Sequence, residues 1–168
     1  MKNTYALITG ASSGIGLEIA YKLAEKGYGI ILTARREDRL ITYTNEIKDK
    51  YGVNVDYVTG DLAMPETPQN IYNFCKDKNY SVEVLVNNAG YGIPSQFHKT
   101  SMEDEEKSIR VLSTSVIALS KAFIPDMLEN KSGKIMIISS VASFTPPSTI
   151  QVLYGPLKTF MNRFSDAL

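Results

Sequence analysis

At 168 residues the chain fits one domain with a sizeable core. Hydrophobic residues at 43% and charged residues at 21% are ordinary for a soluble globular protein. Eighteen basic residues offset eighteen acidic ones, so no overall field argues for nucleic acid or an anionic membrane.

The opening "MKNTYALITG" has too short an apolar stretch for a signal peptide, and no apolar run approaches membrane-spanning length. Tyr5–Thr9 reads as a short apolar strand. Ile15–Lys26 ("IGLEIAYKLAEK") spaces its apolar residues as a helix does, and Gly27 stops it. Gly29–Ala34 ("GIILTA") is a second strand, Glu37–Lys50 a polar helix, and Val53–Thr59 a third strand. Pro65–Asp77 follows as a helix with proline in its first turn. It carries Cys75, the only cysteine, so no internal disulfide can form. A buried, inert thiol in a reducing, cytoplasmic setting is the natural reading.

Val82–Val86 is nearly all apolar, as in a strand covered on both faces. His98, the only histidine, lies in the following loop with no partner cluster for a metal and is expected in solvent. A long helix is predicted from Met102 to Leu128. Its acidic run Glu103–Glu106 sits where the helix dipole favours negative charge and reads as a solvated helix start, not a metal site. Lys134–Ser139 ("KIMIIS") is a fifth strand, and Tyr154–Leu168 a last helix. Strands alternating with helices imply parallel βαβ units in a doubly wound α/β sheet. No repeat, low-complexity tract or linker interrupts them, so residues 1–168 read as one domain.

Between the first strand and first helix lies "TGASSGIG", with Gly10, Gly14 and Gly16. Glycines there let the backbone turn tightly and approach a pyrophosphate, while the helix N-terminus offers free N–H groups and a positive dipole end. A glycine turn alone also serves purely steric ends; its place after an N-terminal strand favours a dinucleotide.

The spacing G-x-x-x-G-x-G after a threonine resembles the short-chain dehydrogenase/reductase family. "GDL" (Gly60–Leu62) after the third strand, "NNAG" (Asn87–Gly90) ending the fourth, "SS" (Ser139–Ser140) ending the fifth, and "YGPLK" match in the same order. The resemblance runs from Thr4 to the last residue. It implies a Rossmann fold of strand order 3-2-1-4-5, without the family's last strands. It further implies that Gly10, Ser12, Ser13, Gly14, Ile15 and Gly16 cradle the pyrophosphate. Asp61 and Leu62 would contact adenine, and Asn88, Ala89 and Gly90 would line the ribose. The family also forms homo-oligomers, built partly on the long helix and the final helix.

An NAD-selective site would carry an acid at the end of the second strand. Here "LTARRED" puts Ala34 near that position, followed by Arg35 and Arg36. An arginine–phosphate hydrogen bond contributes on the order of 1.5–3 kcal/mol, enough for about a tenfold preference for NADP(H) over NAD(H). The competing reading leaves both arginines solvated and offset by Glu37 and Asp38.

Tyr154 and Lys158 are four residues apart, one above the other on a helix face. A carbonyl accepting hydride needs a proton on its oxygen, which Tyr154 would supply. In reverse, lowering a phenol from about 10 to near neutrality takes about 4 kcal/mol. Lys158 and an oxidised nicotinamide both push that way. The resemblance adds that Lys158 holds the nicotinamide ribose and that a serine binds the substrate oxygen: Ser140, with Ser139 as the alternative. No metal is needed. The expected activity is hydride transfer between NADP(H), or NAD(H), and a small carbonyl or alcohol.

Two departures bear on turnover. Anchored on "ALSKAF" (Ala118–Phe123), the family's relay asparagine falls at Leu112, which neither donates nor accepts a hydrogen bond. The family also continues well beyond the position of Leu168, so the fifth strand is expected at an open edge. Both favour the alternative reading, a dinucleotide-binding remnant or fragment without turnover, C-terminally truncated relative to the family. A nucleic-acid module finds neither a basic patch nor an aromatic platform.

Overall fold

In the computed structural model, which describes residues 4–168, β1 (Thr4–Thr9), β2 (Gly29–Ala34), β3 (Val55–Thr59), β4 (Ser81–Asn87) and β5 (Lys134–Ile137) form one parallel sheet. Its order is β3-β2-β1-β4-β5, the order the motifs implied. The central strands are apolar at consecutive positions because both faces are covered. On one face Leu7, Ile31 and Leu85 pack with Ile71 and Cys75 of α3 (Thr67–Asp77) and with Leu119 and Phe123 of α5 (Ser115–Glu129). On the other, Ile8, Ile30 and Val86 meet Ala20 of α1 (Gly14–Glu25) and Leu40 of α2 (Glu37–Tyr51). Burial pushes the Cys75 thiol up to about 12, with the Asp56 charge adding to it, so it is inert as a nucleophile.

Several boundaries move, each for a local reason. Gly52 closes α2 in the left-handed region (φ 65°), so β3 begins at Val55, not Val53. Helix α3 begins at Thr67 with Pro68 in its first turn, and Pro65 lies in the turn before it. Strand β5 ends at Ile137, and among the described residues no strand pairs with its outer side, where Lys134 and Met136 are exposed.

The predicted long helix is divided. Helix α4 (Met102–Ile109) runs into α5 through a wider π turn at Arg110–Thr114. Two hydroxyls bond to carbonyls at that turn: Ser113 Oγ, inside it, donates to Ile109 O at 2.6 Å, and Ser115 Oγ, just after it, to Val111 O at 3.0 Å. Such side chains compete with the helical ladder for its carbonyls and loosen it. By length and composition, Met102–Glu129 is the one helix among the described residues able to cross a membrane (mean hydropathy 1.4). Half of its most apolar stretch is buried inside the fold. The acidic run departs from the expected solvated start: Glu105 is only 7% exposed. Helix α6 (Tyr154–Ala167) completes the chain.

Candidate active site

Beyond the C-terminal ends of β1 and β4, where the strand order reverses, a cleft of about 400 Å³ opens. Its floor is a knot between two sequence motifs. The Thr9 hydroxyl donates to Val86 O at 3.3 Å and accepts from the Asn88 and Ala89 N–H groups at 2.9 and 3.0 Å. The Asn88 side-chain amide donates to Thr9 O at 2.9 Å. This packing dictates the glycines. A Cβ on Gly10, itself at φ 66°, would lie 2.9 Å from Ala89 Cα. One on Gly16 would fall on the Asn88 amide and 2.8 Å from Gly10 O.

Gly10, Ser12, Ser13 and Ile15 line the cleft; Gly14 and Gly16 shape the turn and the start of α1 without lining it. The Ser13 side chain does not cap α1. Its oxygen and that of Ser12 accept from Arg36 Nη2, at 3.1 and 2.9 Å. The first-turn N–H groups of α1 are left without a side-chain cap, next to a guanidinium held at the edge of the cleft. Arg35 also lines the cleft, 3.9 Å from Asp61. Asp61 is held in turn by the Ala63 N–H at 3.0 Å, and Leu62 is buried next to it.

Tyr154 opens α6, and Lys158 follows one turn later. Both line the same cleft as the glycine turn. Lys158 is buried (5% exposed), donates to Ile138 O at 2.7 Å, and sits 5.7 Å from the centre of the Tyr154 ring. Burial lowers its pKa. Asn88, Ala89 and Gly90 complete the wall. Ser139 reaches the cleft and donates to Lys158 O at 3.2 Å. Ser140 does not line it; its hydroxyl caps the short turn Val141–Ser143, accepting from the Ala142 N–H at 3.2 Å. Leu112 is 1% exposed. Its Cδ2 lies 2.8 Å, and Lys158 Nζ 3.6 Å, from the point where a Gly90 Cβ would stand. No cluster of metal-ligating side chains occurs among the described residues, and His98 is exposed.

Sequence reasoning missed Thr9, Tyr91 and Ile138. Ile138 contributes through its carbonyl, which leaves no trace in side-chain patterning. Thr9 ends an apolar strand, and a buried hydroxyl at that point was a readable sign of a backbone partner.

A parallel sheet with a glycine turn at its switch point and a basic group beside it defines a dinucleotide-binding α/β protein. The comparison with known proteins is more specific: residues 4–168 match the family model described as short chain dehydrogenase. The chain belongs to that family. It is 32% identical to a very-long-chain 3-oxoacyl-CoA reductase of Phaeosphaeria nodorum, over 99% of this chain and 50% of the relative. It is 34% identical to a probable NADP-dependent dehydrogenase of Haemophilus influenzae, over 98% of this chain and 64% of that protein. The chain thus spans between half and two thirds of the length of these relatives. Among solved structures, a short-chain dehydrogenase from Sphingobium yanoikuyae in complex with NADPH superposes with a TM-score of 0.91 at 32% identity, covering 98% of this chain and 63% of that one. L-sorbose reductase from Gluconobacter frateurii, complexed with NADPH and L-sorbose, gives 0.90 at 30% identity, covering 99% and 65%.

Proposed function

We propose that this chain, read as one dinucleotide-binding domain, carries the cofactor-binding and proton-transfer parts of an NADP(H)-dependent oxidoreductase. It would interconvert a small carbonyl and its alcohol. The observation that carries the reading is the convergence of Tyr154, Lys158, the glycine turn and Arg36 on one cleft. NADPH fits the residues present: uncapped helix N–H groups suit a pyrophosphate, and the serine-held Arg36 suits a ribose phosphate. Arg36 is the better phosphate ligand of the two arginines, because Asp61 already offsets the charge of Arg35. NADPH-bound neighbours support the same cofactor, and NAD(H) is the weaker ligand.

When bound, the dinucleotide supplies the hydride. The chain's own groups do the rest. Tyr154 gives its phenolic proton to the carbonyl oxygen as charge develops there. Lys158, anchored on Ile138 O, holds positive charge near the phenol and favours the phenolate that remains. Ser140 or Ser139 binds the substrate oxygen, and Ser139 is the one that lines the cleft as the loop lies. A cytoplasmic homo-oligomer is the expected form.

The second reading, dinucleotide binding without turnover, draws on one observation: Leu112 fills the relay position with hydrocarbon. Measuring NADPH binding alongside NADPH oxidation with a panel of ketones separates the two. Turnover supports the first reading, and tight binding with no turnover supports the second.

A further inference from the structure

A second cavity also touches Tyr154, and it is small, about 10 Å³. Its lining carries Ser95, Glu105, Ser108 and Gln151 beside Tyr154, and Ile93, Phe97, Val152 and Leu153 are its apolar walls. Glu105 is the unusual member. It is 7% exposed, and no ion pair reaches it among the described residues. Among the described residues its carboxylate has one hydrogen-bond partner, the Thr100 hydroxyl, 2.6 Å from Oε1. That hydroxyl has a single hydrogen and also lies 2.8 Å from Phe97 O, which can only accept. The carboxylate therefore takes at most one side-chain donor from the protein, and its other oxygen, which keeps some accessible surface, is left to water. The cavity is about the size of one water molecule, and its four polar walls meet the two to four partners such a water requires.

The cavity's location gives it a role. Gln151 takes a left-handed backbone (φ 61°) unusual outside glycine. Its N–H donates to Ser95 O at 3.3 Å, its carbonyl accepts the Tyr154 N–H at 3.0 Å, and its side-chain amide packs against Gly92. A bridge between Gln96 and Ile150 joins the same two loops. Tyr154 therefore hangs from a two-loop strap, and the cavity lies between that strap and α4.

We propose that this cavity holds one ordered water that bonds Glu105 to the strap, making Glu105 a positioning residue for Tyr154. The role in catalysis rests on the reading of Tyr154 as the acid/base.

The test begins with a high-resolution crystal structure of the chain with NADPH. It should show a water within hydrogen-bond reach of Glu105; a dry or collapsed cavity overturns the proposal. In Glu105→Leu the water is lost and the Tyr154 phenol shifts. Loss of one hydrogen bond's worth of positioning lowers kcat about tenfold while KM for NADPH holds. Glu105→Gln, whose amide oxygen accepts from Thr100 while its N–H can donate to the water, restores most of kcat. An unmoved phenol in Glu105→Leu, or a Gln variant as impaired as the Leu variant, overturns the proposal. If Glu105→Leu fails to fold, Ser108→Ala on the same wall should lower kcat with NADPH binding unchanged, and an unaltered kcat there contradicts the idea. A chain that shows the water and the shifted phenol but reduces no carbonyl upholds the positioning and counts against the acid/base reading instead.

Discussion

Replacing Arg36 by leucine tests how the cofactor is chosen. Two serine oxygens already hold this guanidinium at 2.9 and 3.1 Å, so little side-chain freedom is lost when a phosphate arrives. A charge-assisted hydrogen bond contributes about 1.5–3 kcal/mol, and solvent at the cleft mouth places this one near the lower figure. About 1.5 kcal/mol is about a tenfold weakening of NADPH binding. NADH lacks the 2′-phosphate on the adenosine ribose, so its affinity should not change. Isothermal titration of both dinucleotides against wild type and Arg36→Leu at fixed low salt measures the difference, which should shrink as salt is raised. Equal losses for NADPH and NADH would refute the reasoning, because they would mean general damage to the turn. So would an unchanged NADPH affinity in Arg36→Leu with a tenfold loss in Arg35→Leu, which would move the phosphate to the other arginine.

Other substitutions test the scaffold. Gly16→Ala drives a methyl into the Asn88 amide and Gly10 O. It should cost about 1–3 kcal/mol in urea unfolding and weaken both dinucleotides alike, whereas unchanged NADPH binding would contradict the packing argument. Thr9→Val keeps the shape but strips the Asn88 and Ala89 N–H groups of their acceptor, for a loss of about 2 kcal/mol or more by the same assay. Lys158→Met tests the buried ammonium through pH. Burial lowers the lysine below its ordinary 10.5, so the unfolded chain binds more protons in the window between the folded value and 10.5. Wild-type stability should therefore rise relative to Lys158→Met as pH climbs through that window and level off above it. A difference that falls or stays flat would contradict the burial.

Much of this was readable in the sequence because its causes are local. The parallel doubly wound sheet followed from βαβ alternation, while its strand order and the place of the cleft followed from the family resemblance carried by the glycine turn, "NNAG" and "YGPLK". The π turn at Arg110–Thr114 was not readable, since serine hydroxyls can point to solvent or to a helix carbonyl, and packing decides which. Glu105 was misread for a similar reason: charge in a first helical turn is normally solvated, and only the strap laid over α4 buries it. The serine register near Tyr154 depends on a loop whose path is fixed by the Gln96–Ile150 bridge, a contact between residues far apart in sequence.

The central claim is that one cleft both holds NADPH and moves a proton through Tyr154. The direct measurement is NADPH oxidation with a panel of ketones and aldehydes by wild type and Tyr154→Phe, with NADPH affinity measured on both. Turnover by wild type, lost by about 10²–10⁴-fold in Tyr154→Phe with NADPH affinity intact, is the predicted result. Tight NADPH binding with no turnover by wild type, or equal turnover by both proteins, would contradict it.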